Sequence, residues 1–385
     1  MKLLPFDHAV RNLGRSPKRL ALVVGGSALV SLLVLGATSF ARGMERALGT
    51  SGLATNALLL GSGSEESVER SEIPASTASI LAASVDGLAV VAGAPAVSPE
   101  IHAALPVARV DAPDAAEPAP VPVRGIEPAA FLVHPQVRLA EGRWPARGAD
   151  EVAAARGALG RIGGASIGDT IVVAGTPCAL VGIFEAPGTA MHGELWMRLD
   201  RVAAITLRST HSCVVAALGE AEFDDVDAFA ASRIDLETIA MPESDYYARL
   251  GEFFAPIRVL VLATALLVSL GGVLGGVNAM YAAFASRVRE VGMLQALGFS
   301  RGAIAVSLLV ESTIACLAGA LVACAAGLAL LDGVSIDYSM GSFGLAVDAA
   351  AVAAALATGL LLGLVGALPA IARSLFLPIT HALRA

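Results

Sequence analysis

Four runs of the sequence, residues 20–40, 259–284, 303–331 and 349–372, are almost unbroken Leu, Ala, Val and Gly, and the only charge among them is Glu311. A helix rises about 1.5 Å per residue, so roughly 20 apolar residues span a hydrocarbon layer about 30 Å thick. All four runs meet that length. The chain is 56% hydrophobic and 16% charged over 385 residues, and its mean hydropathy is +0.71. These values fit a membrane protein with four spans rather than an ordinary soluble domain.

The first run follows a basic segment and ends in small residues, as a secretory signal does. Its apolar stretch exceeds the roughly 7–15 residues of a signal's central region, so it reads as an uncleaved anchor. Lys and Arg near span ends set orientation. Lys2, Arg11, Arg15, Lys18 and Arg19 precede the first span, Arg287, Arg289 and Arg301 lie between the second and third, and Arg373 and Arg384 follow the fourth. The loop holding Asp332 and Asp337 has neither residue type. Both termini and the segment between spans two and three are therefore expected in the cytoplasm.

The expected order is a cytoplasmic segment at 1–19, spans at 20–40 and 257–284, a cytoplasmic helix at 285–302, spans at 303–331 and 349–372, an outer loop at 332–348 and a tail at 373–385. Residues 41–256 then lie outside, with 28 acidic against 15 basic residues. That acidity excludes a nucleic-acid partner, which needs a basic face. Leu3, Phe6, Val10 and Leu13 give the first segment one apolar side, suited to the interface or to protein.

The outer region reads as mixed α and β. Residues 169–185 form two β-rich runs split at Gly175, Thr176 and Pro177, a hairpin pattern. Residues 212–218 read as a strand, 77–85 and 223–234 as helices, and 112–120 as a Pro-rich loop. Strand and helix patterns flank 105–199, which is expected as an inserted subdomain. Cys178 and Cys213 are compatible with a disulfide or with buried thiols.

No phosphate-binding loop, H-E-x-x-H or G-x-S-x-G occurs, and the six histidines, His8, His102, His134, His192, His211 and His381, are scattered. They read as solvated or loop residues, so no catalytic or metal site is expected. Gly271 with Gly275, Gly272 with Gly276, and Gly359 with Gly363 are small-residue pairs suited to close helix packing, within the chain or in a dimer. Glu311 reads as a structural acid that needs a partner, because a lone intramembrane carboxylate is costly.

Between spans two and three, Val288, Val291, Leu294 and Leu297 read as an apolar stripe, with Arg287, Arg289, Glu290 and Gln295 off it. Gly298 suits a helix end and Ser300 the cap of the next helix. The stretch "SRVREVGMLQALGFSRGAIAVSLLVES" resembles the FtsX-like permease domain of ABC transporters. Arg287, Arg289, Glu290, Val291, Gly292, Leu294, Ala296, Leu297, Gly298, Ser300, Glu311 and Ser312 match its signature, while Gln295 replaces a commonly basic residue. Residues 141–189 are similar to the periplasmic core domain of this group, which includes macrolide-export, lipoprotein-release and cell-division permeases.

The resemblance implies a four-helix membrane subunit with a large mixed α/β periplasmic domain between helices 1 and 2, in the bacterial inner membrane. It implies a second permease copy or paralogue and a cytoplasmic ABC ATPase, a separate subunit carrying ATP and Mg. A coupling helix at Arg287–Ser300 would dock on that ATPase, and a membrane-fusion or periplasmic partner would act outside. No cofactor on this chain is expected, and membrane lipid surrounds it. Efflux or lipoprotein release is the leading expectation. An FtsX-like regulator that activates a cell-wall hydrolase without transport is the alternative, and ion-coupled transport is disfavoured because Glu311 stands alone.

Overall fold

The computed structural model describes residues 17–109, 118–285, 288–331, 334–338 and 341–376. The amphipathic pattern at Leu3–Leu13, His8, Arg287, Arg384 and His381 lies outside the described residues. The chain divides into two compact units. A helical unit holds the described residues up to Arg42, then Pro256–Val334 and those from Leu345. A mixed unit holds Gly43–Ala255 and Ser335–Gly344.

In chain order the elements are α1 (Pro17–Ser51), β1 (Asn56–Gly61), β2 (Ile73–Pro74), α2 (Thr77–Ser84), β3 (Val90–Val91), β4 (Ala94–Pro95), β5 (Val97–Arg109) and β6 (Ala119–Ile126). Next come α3 (Ala130–Val133), β7 (Arg138–Gly142), β8 (Glu151–Ala155), β9 (Thr170–Val173), β10 (Thr176–Glu185), β11 (Leu195–Arg198), α4 (Leu199–Thr206), β12 (Thr210–His211) and β13 (Cys213–Ala217). The rest are α5 (Phe223–Ser232), β14 (Thr238–Pro242), α6 (Glu243–Phe253), α7 (Ala255–Ala285), α8 (Val288–Ala296), α9 (Arg301–Leu330), β15 (Ser335–Tyr338), β16 (Gly341–Gly344) and α10 (Ala349–Phe376).

In the mixed unit a single sheet runs β14-β1-β13-β5-β6-β11-β8-β10-β7, with β9 paired to both β10 and β5. β5 joins two cores because it is long enough to serve both. Its first residues pair with β13, Glu100 opposite Cys213, and its later residues pair with β6, Ile101 opposite Gly125. One core gathers Ala57, Leu59, Leu81, Val214, Val226 and Leu236. The other gathers Ile101, Val123, Val152, Ile171, Phe184 and Trp196. Parallel pairing occurs at β6–β11 and β8–β10, so the sheet is mixed rather than purely antiparallel.

Local chemistry places three boundaries differently from the sequence reading. The 170–185 hairpin turns at Ala174 and Gly175, both at positive φ, as a two-residue turn matched to strand twist requires. Thr176 and Pro177 therefore belong to β10. Ala119 and Pro120, expected in a loop, open β6. α1 does not stop at Phe40: Met44, Ala47, Leu48 and Ser51 are buried at helical spacing, so an amphipathic continuation replaces the apolar run. Residues 335–338 and 341–344, expected in a loop, pair as the strands β15 and β16, with Phe343 buried.

Within the helical unit, α1, α7, α9 and α10 are each long and apolar enough to cross a membrane. Ser27 Oγ in α1 donates to Cys316 O in α9 at 2.7 Å. Asp348 caps α10, its Oδ1 accepting from Ala351 N–H at 3.0 Å, and its Oδ2 takes Arg42 Nε at 2.6 Å. α7 is the least enclosed, with 11% of its apolar window buried against 39% for α9 and α10.

Candidate functional site

Helix α8 is closed at its end by two backbone bonds. Phe299 N–H donates to Leu294 O at 3.1 Å and Gly298 N–H to Gln295 O at 3.0 Å. Gly298 takes φ +87°, where a side chain is costly. Ser300 then starts α9, its Oγ accepting from Ala303 N–H at 3.2 Å. Val288 and Val291 form a small core with Ile304 of α9, flanked by Leu294, Phe299 and Leu308.

The two sides of α8 differ from the sequence reading. Gly292 and Gln295 lie on the buried side with Val288 and Val291, whereas Leu297 is 70% exposed. Three-residue steps fall short of a turn, and three of them carry Leu297 about 180° round from Val288. The outward side presents Glu290, Met293 and Leu297 at i, i+3 and i+7. Arg289 lies in the same helix.

The intramembrane candidates separate by what surrounds them. A side chain at Gly359 would meet Ala320 Cβ at 2.5 Å, and one at Gly363 would meet Thr313 Cα at 2.6 Å. Both glycines therefore serve contact between α10 and α9. Gly272 faces Val30 of α1, while Gly271, Gly275 and Gly276 have open space where a Cβ would stand. Sequence pairing missed Gly319, which lies against the α1 backbone at Val24 and Ala28, and Gly327, which lies against Leu35. Glu311 is buried and is not an isolated charge.

A second constellation sits in the mixed unit. Arg124 of β6 donates Nε to Glu194 Oε2 and Nη2 to Glu194 Oε1, both at 2.7 Å, and Nη1 to Glu100 Oε2 at 2.9 Å. His134, just after α3, places Nε2 2.8 Å from Glu100 Oε1. Trp196 Nε1 donates to Glu194 Oε2 at 2.8 Å, and the Arg124 guanidinium lies 5.6 Å from the Trp196 ring centre. Glu243, the first residue of α6, accepts on Oε2 from Leu53 N–H at 3.0 Å and Asn56 Nδ2 at 2.9 Å. Asn56 Nδ2 also donates to Val133 O at 2.9 Å.

Pairing overrides burial for most of these groups. Burial pushes Glu100 up, but His134 and Arg124 hold it well below the carboxylate range. Glu194 is likewise pushed up by burial and brought below its ordinary value by Arg124. Burial lowers His134, yet Glu100 and Glu243 raise it above 6.5. His102 moves the other way, lowered by burial and by Arg124. Glu243 is raised, chiefly by burial. The reading of the histidines as solvated fails here: among the described residues none is exposed, and His134, though it lies in a loop outside any helix or strand, is fully buried. Strand β5 puts Ser98, Glu100 and His102 on one side, and that side is covered.

Glu100, His102 and Cys213 bring their ligand atoms within 4.8 Å of one another, but they do not suit a metal. Both Glu100 oxygens are already engaged, Arg124 Nη1 stands 2.9 Å from one of them, and burial keeps the Cys213 thiol protonated. Cys178 and Cys213 are separate buried thiols.

Residues 20–233 match the family profile of the MacB-like periplasmic core domain, and residues 262–379 match the FtsX-like permease C-terminal profile. The chain belongs to the FtsX/MacB-like ABC permease family. As a member, it is a multi-pass membrane protein with a periplasmic-type domain.

This permease is 26% identical over 223 residues to the macrolide export ATP-binding/permease protein MacB 1/2 of Paracoccus denitrificans, which covers 54% of this chain and 33% of the relative. The chain thus spans about a third of that relative's length. Two solved structures also match. One is the periplasmic region of MacB from Actinobacillus actinomycetemcomitans, with 14% identity, 54% of this chain, 95% of that chain and TM-score 0.40. The other is the extracellular domain of the ABC-type transporter YknZ from Gram-positive bacteria, with 14% identity, 48% and 99% coverage, and TM-score 0.37.

Proposed function

We propose that this permease transmits the motion of a cytoplasmic ABC ATPase to its mixed unit, for efflux or for release of a lipoprotein or other substrate. One observation carries the reading. α8 has a packed side, fastened to α9 by Val288 and Val291, and an outward side where Met293 and Leu297 are exposed. An amphipathic helix with exposed apolar anchors fits a groove on a soluble partner. ATP and Mg would then be held by the ATPase, since these 385 residues contain no phosphate-binding loop.

Lys and Arg placement supports a cytoplasmic α8 and a mixed unit outside the bacterial inner membrane. The open face of α7 at Gly271, Gly275 and Gly276 suits a second permease copy in the bilayer. A membrane-fusion or periplasmic partner would receive the motion outside.

Met293→Glu with Leu297→Glu puts charge on the outward side and leaves the Val288–Ile304 core intact. The double variant is expected to lose co-purification with its cognate cytoplasmic ABC ATPase, while inserting normally. Retained association and ATP-driven activity would overturn the docking role. In the reconstituted complex, substrate movement supports transport, and activation of an outer hydrolase without it supports the regulator.

A further inference from the structure

In the mixed unit the buried ring of His134 is satisfied on one nitrogen only. Nε2 lies 2.8 Å from Glu100 Oε1, a separation that requires a proton between them. Nδ1 is buried without a hydrogen-bond partner, and Glu243 Oε1 stands 3.9 Å from it. In the neutral ring, Nδ1 turns a lone pair toward a carboxylate. In the charged ring it turns an N–H, about 1 Å beyond an ordinary hydrogen bond.

We propose that His134 and Glu243 form a proton-operated tether, drawn closed when His134 is charged and slack when it is neutral, which fastens the start of α6 and the end of α1 to the sheet. Glu243 can do this because its other oxygen already holds Leu53 N–H and Asn56 Nδ2. Asn56 in turn reaches Val133 O, beside the histidine. In chain order Leu53 follows α1 and Glu243 opens the helix that precedes α7. The tether therefore joins the two ends of the Gly43–Ala255 part of the mixed unit, which lead to α1 and α7. This inference stands apart from the ATPase reading, because it concerns contacts inside the mixed unit.

Every element around His134 contributes a group. β5 supplies Glu100 and His102, β6 supplies Arg124 with its Nη1 3.3 Å from Nε2, and α6 supplies Glu243 and Tyr247. Trp196 of β11 meets the His134 ring edge-on at 6.1 Å between ring centres, Glu194 lies beyond Arg124, and Cys213 faces Glu100 from β13. Arg124 and burial oppose charge on His134; Glu100 and Glu243 favour it and prevail. Because the folded value lies above 6.5, the tether's contribution is full below 6.5 and is lost as pH rises through the raised value. His102 acts with opposite sign, its contribution present above 6.5 and lost as pH falls through its lowered value. Glu243 must be ionised, which bounds the closed state on the acid side.

The test is amide hydrogen exchange on the full chain in detergent, followed over 53–56 and 243–253 across a pH series and corrected for intrinsic rates. Protection should fall as pH rises beyond 6.5, by about tenfold for each unit by which pairing raises His134. His134→Gln should abolish that step, and His102→Gln should keep it. Glu243→Gln retains an acceptor for Leu53 and Asn56 without the charge, so it should remain folded and also lose the step. Tryptophan fluorescence checks folding, and Glu243→Gln carries the test alone if His134→Gln does not fold. A flat wild-type profile, or an unchanged step in whichever variant folds, overturns the tether.

Discussion

Arg124 and Glu194 meet through two parallel bonds, Nε to Oε2 and Nη2 to Oε1, each 2.7 Å, with neither side chain more than 5% exposed. Removing the cation would leave Glu194 and Glu100 buried and charged without it. Arg124→Met is expected to destabilise the mixed unit by about 3–5 kcal/mol. Arg124→Met with Glu194→Gln should recover part of that loss. The only two tryptophans, Trp144 and Trp196, both lie in this unit, so denaturant unfolding followed by fluorescence measures it directly.

Acid should weaken the same unit. Glu100 and Glu194 have folded values below 4.5, so their contribution is present above 4.5 and is lost as pH falls through the lowered values. Melting midpoints should drop in that range. Arg124→Met should shift the loss toward higher pH, and an unchanged acid profile in that variant would show that Arg124 does not hold the carboxylates down.

In the helical unit, Gly319→Leu places a side chain where the α1 backbone lies. Overpacking of this kind costs about 1–3 kcal/mol or more. Gly275→Ala meets no atom within 4 Å and should change stability by less than about 0.5 kcal/mol in the isolated subunit. Recovery of monodisperse protein after stepwise heating in detergent distinguishes the two. Equal loss for both would mean that Gly275 is covered.

Gly298→Val forces a branched side chain into φ +87°, at a cost of about 1–2 kcal/mol. The helix end between Gln295 and Ser300 should loosen while the mixed unit melts as before. Association with the ATPase should weaken more than in Gly302→Ala, since Gly302 has open space around it. Pull-down of the ATPase by each variant reads the difference.

The four apolar helices were legible because length and composition alone define them, and α8 was legible because Gly298 marks its end and Ser300 the start of α9. α6 was not, since Tyr246, Tyr247 and Leu250 acquire their buried side only when β1 and β14 form beside them. The ionic cluster was illegible for a related reason. Glu100, Arg124, His134, Glu194 and Glu243 are far apart in sequence and meet only through sheet pairing. A faint signal existed in the alternation of Ser98, Glu100 and His102, and in Arg124 set within "VPVRGI". Neither reveals its partner. The glycine pairs gave close packing at Gly359 and Gly363, whereas the close approaches to α1 at Gly319 and Gly327 lie in a small-residue series, Ala315, Gly319, Ala323 and Gly327 at four-residue spacing, that a search for glycine pairs alone passes over.

Because Val288 and Val291 pack against Ile304, with Leu294, Phe299 and Leu308 around them, α8 is built as a bracket on α9. The opening turns of α9 therefore carry α8 with them, with the closed turn at Gly298 as the corner brace. The same helix is keyed into α10 at Gly359 and Gly363 and into α1 at Gly319. α7 has the least of its surface enclosed and meets α1 where Gly272 faces Val30. Packing thus makes α8, α9, α10 and α1 one closely fitted block, with α7 as its most open member.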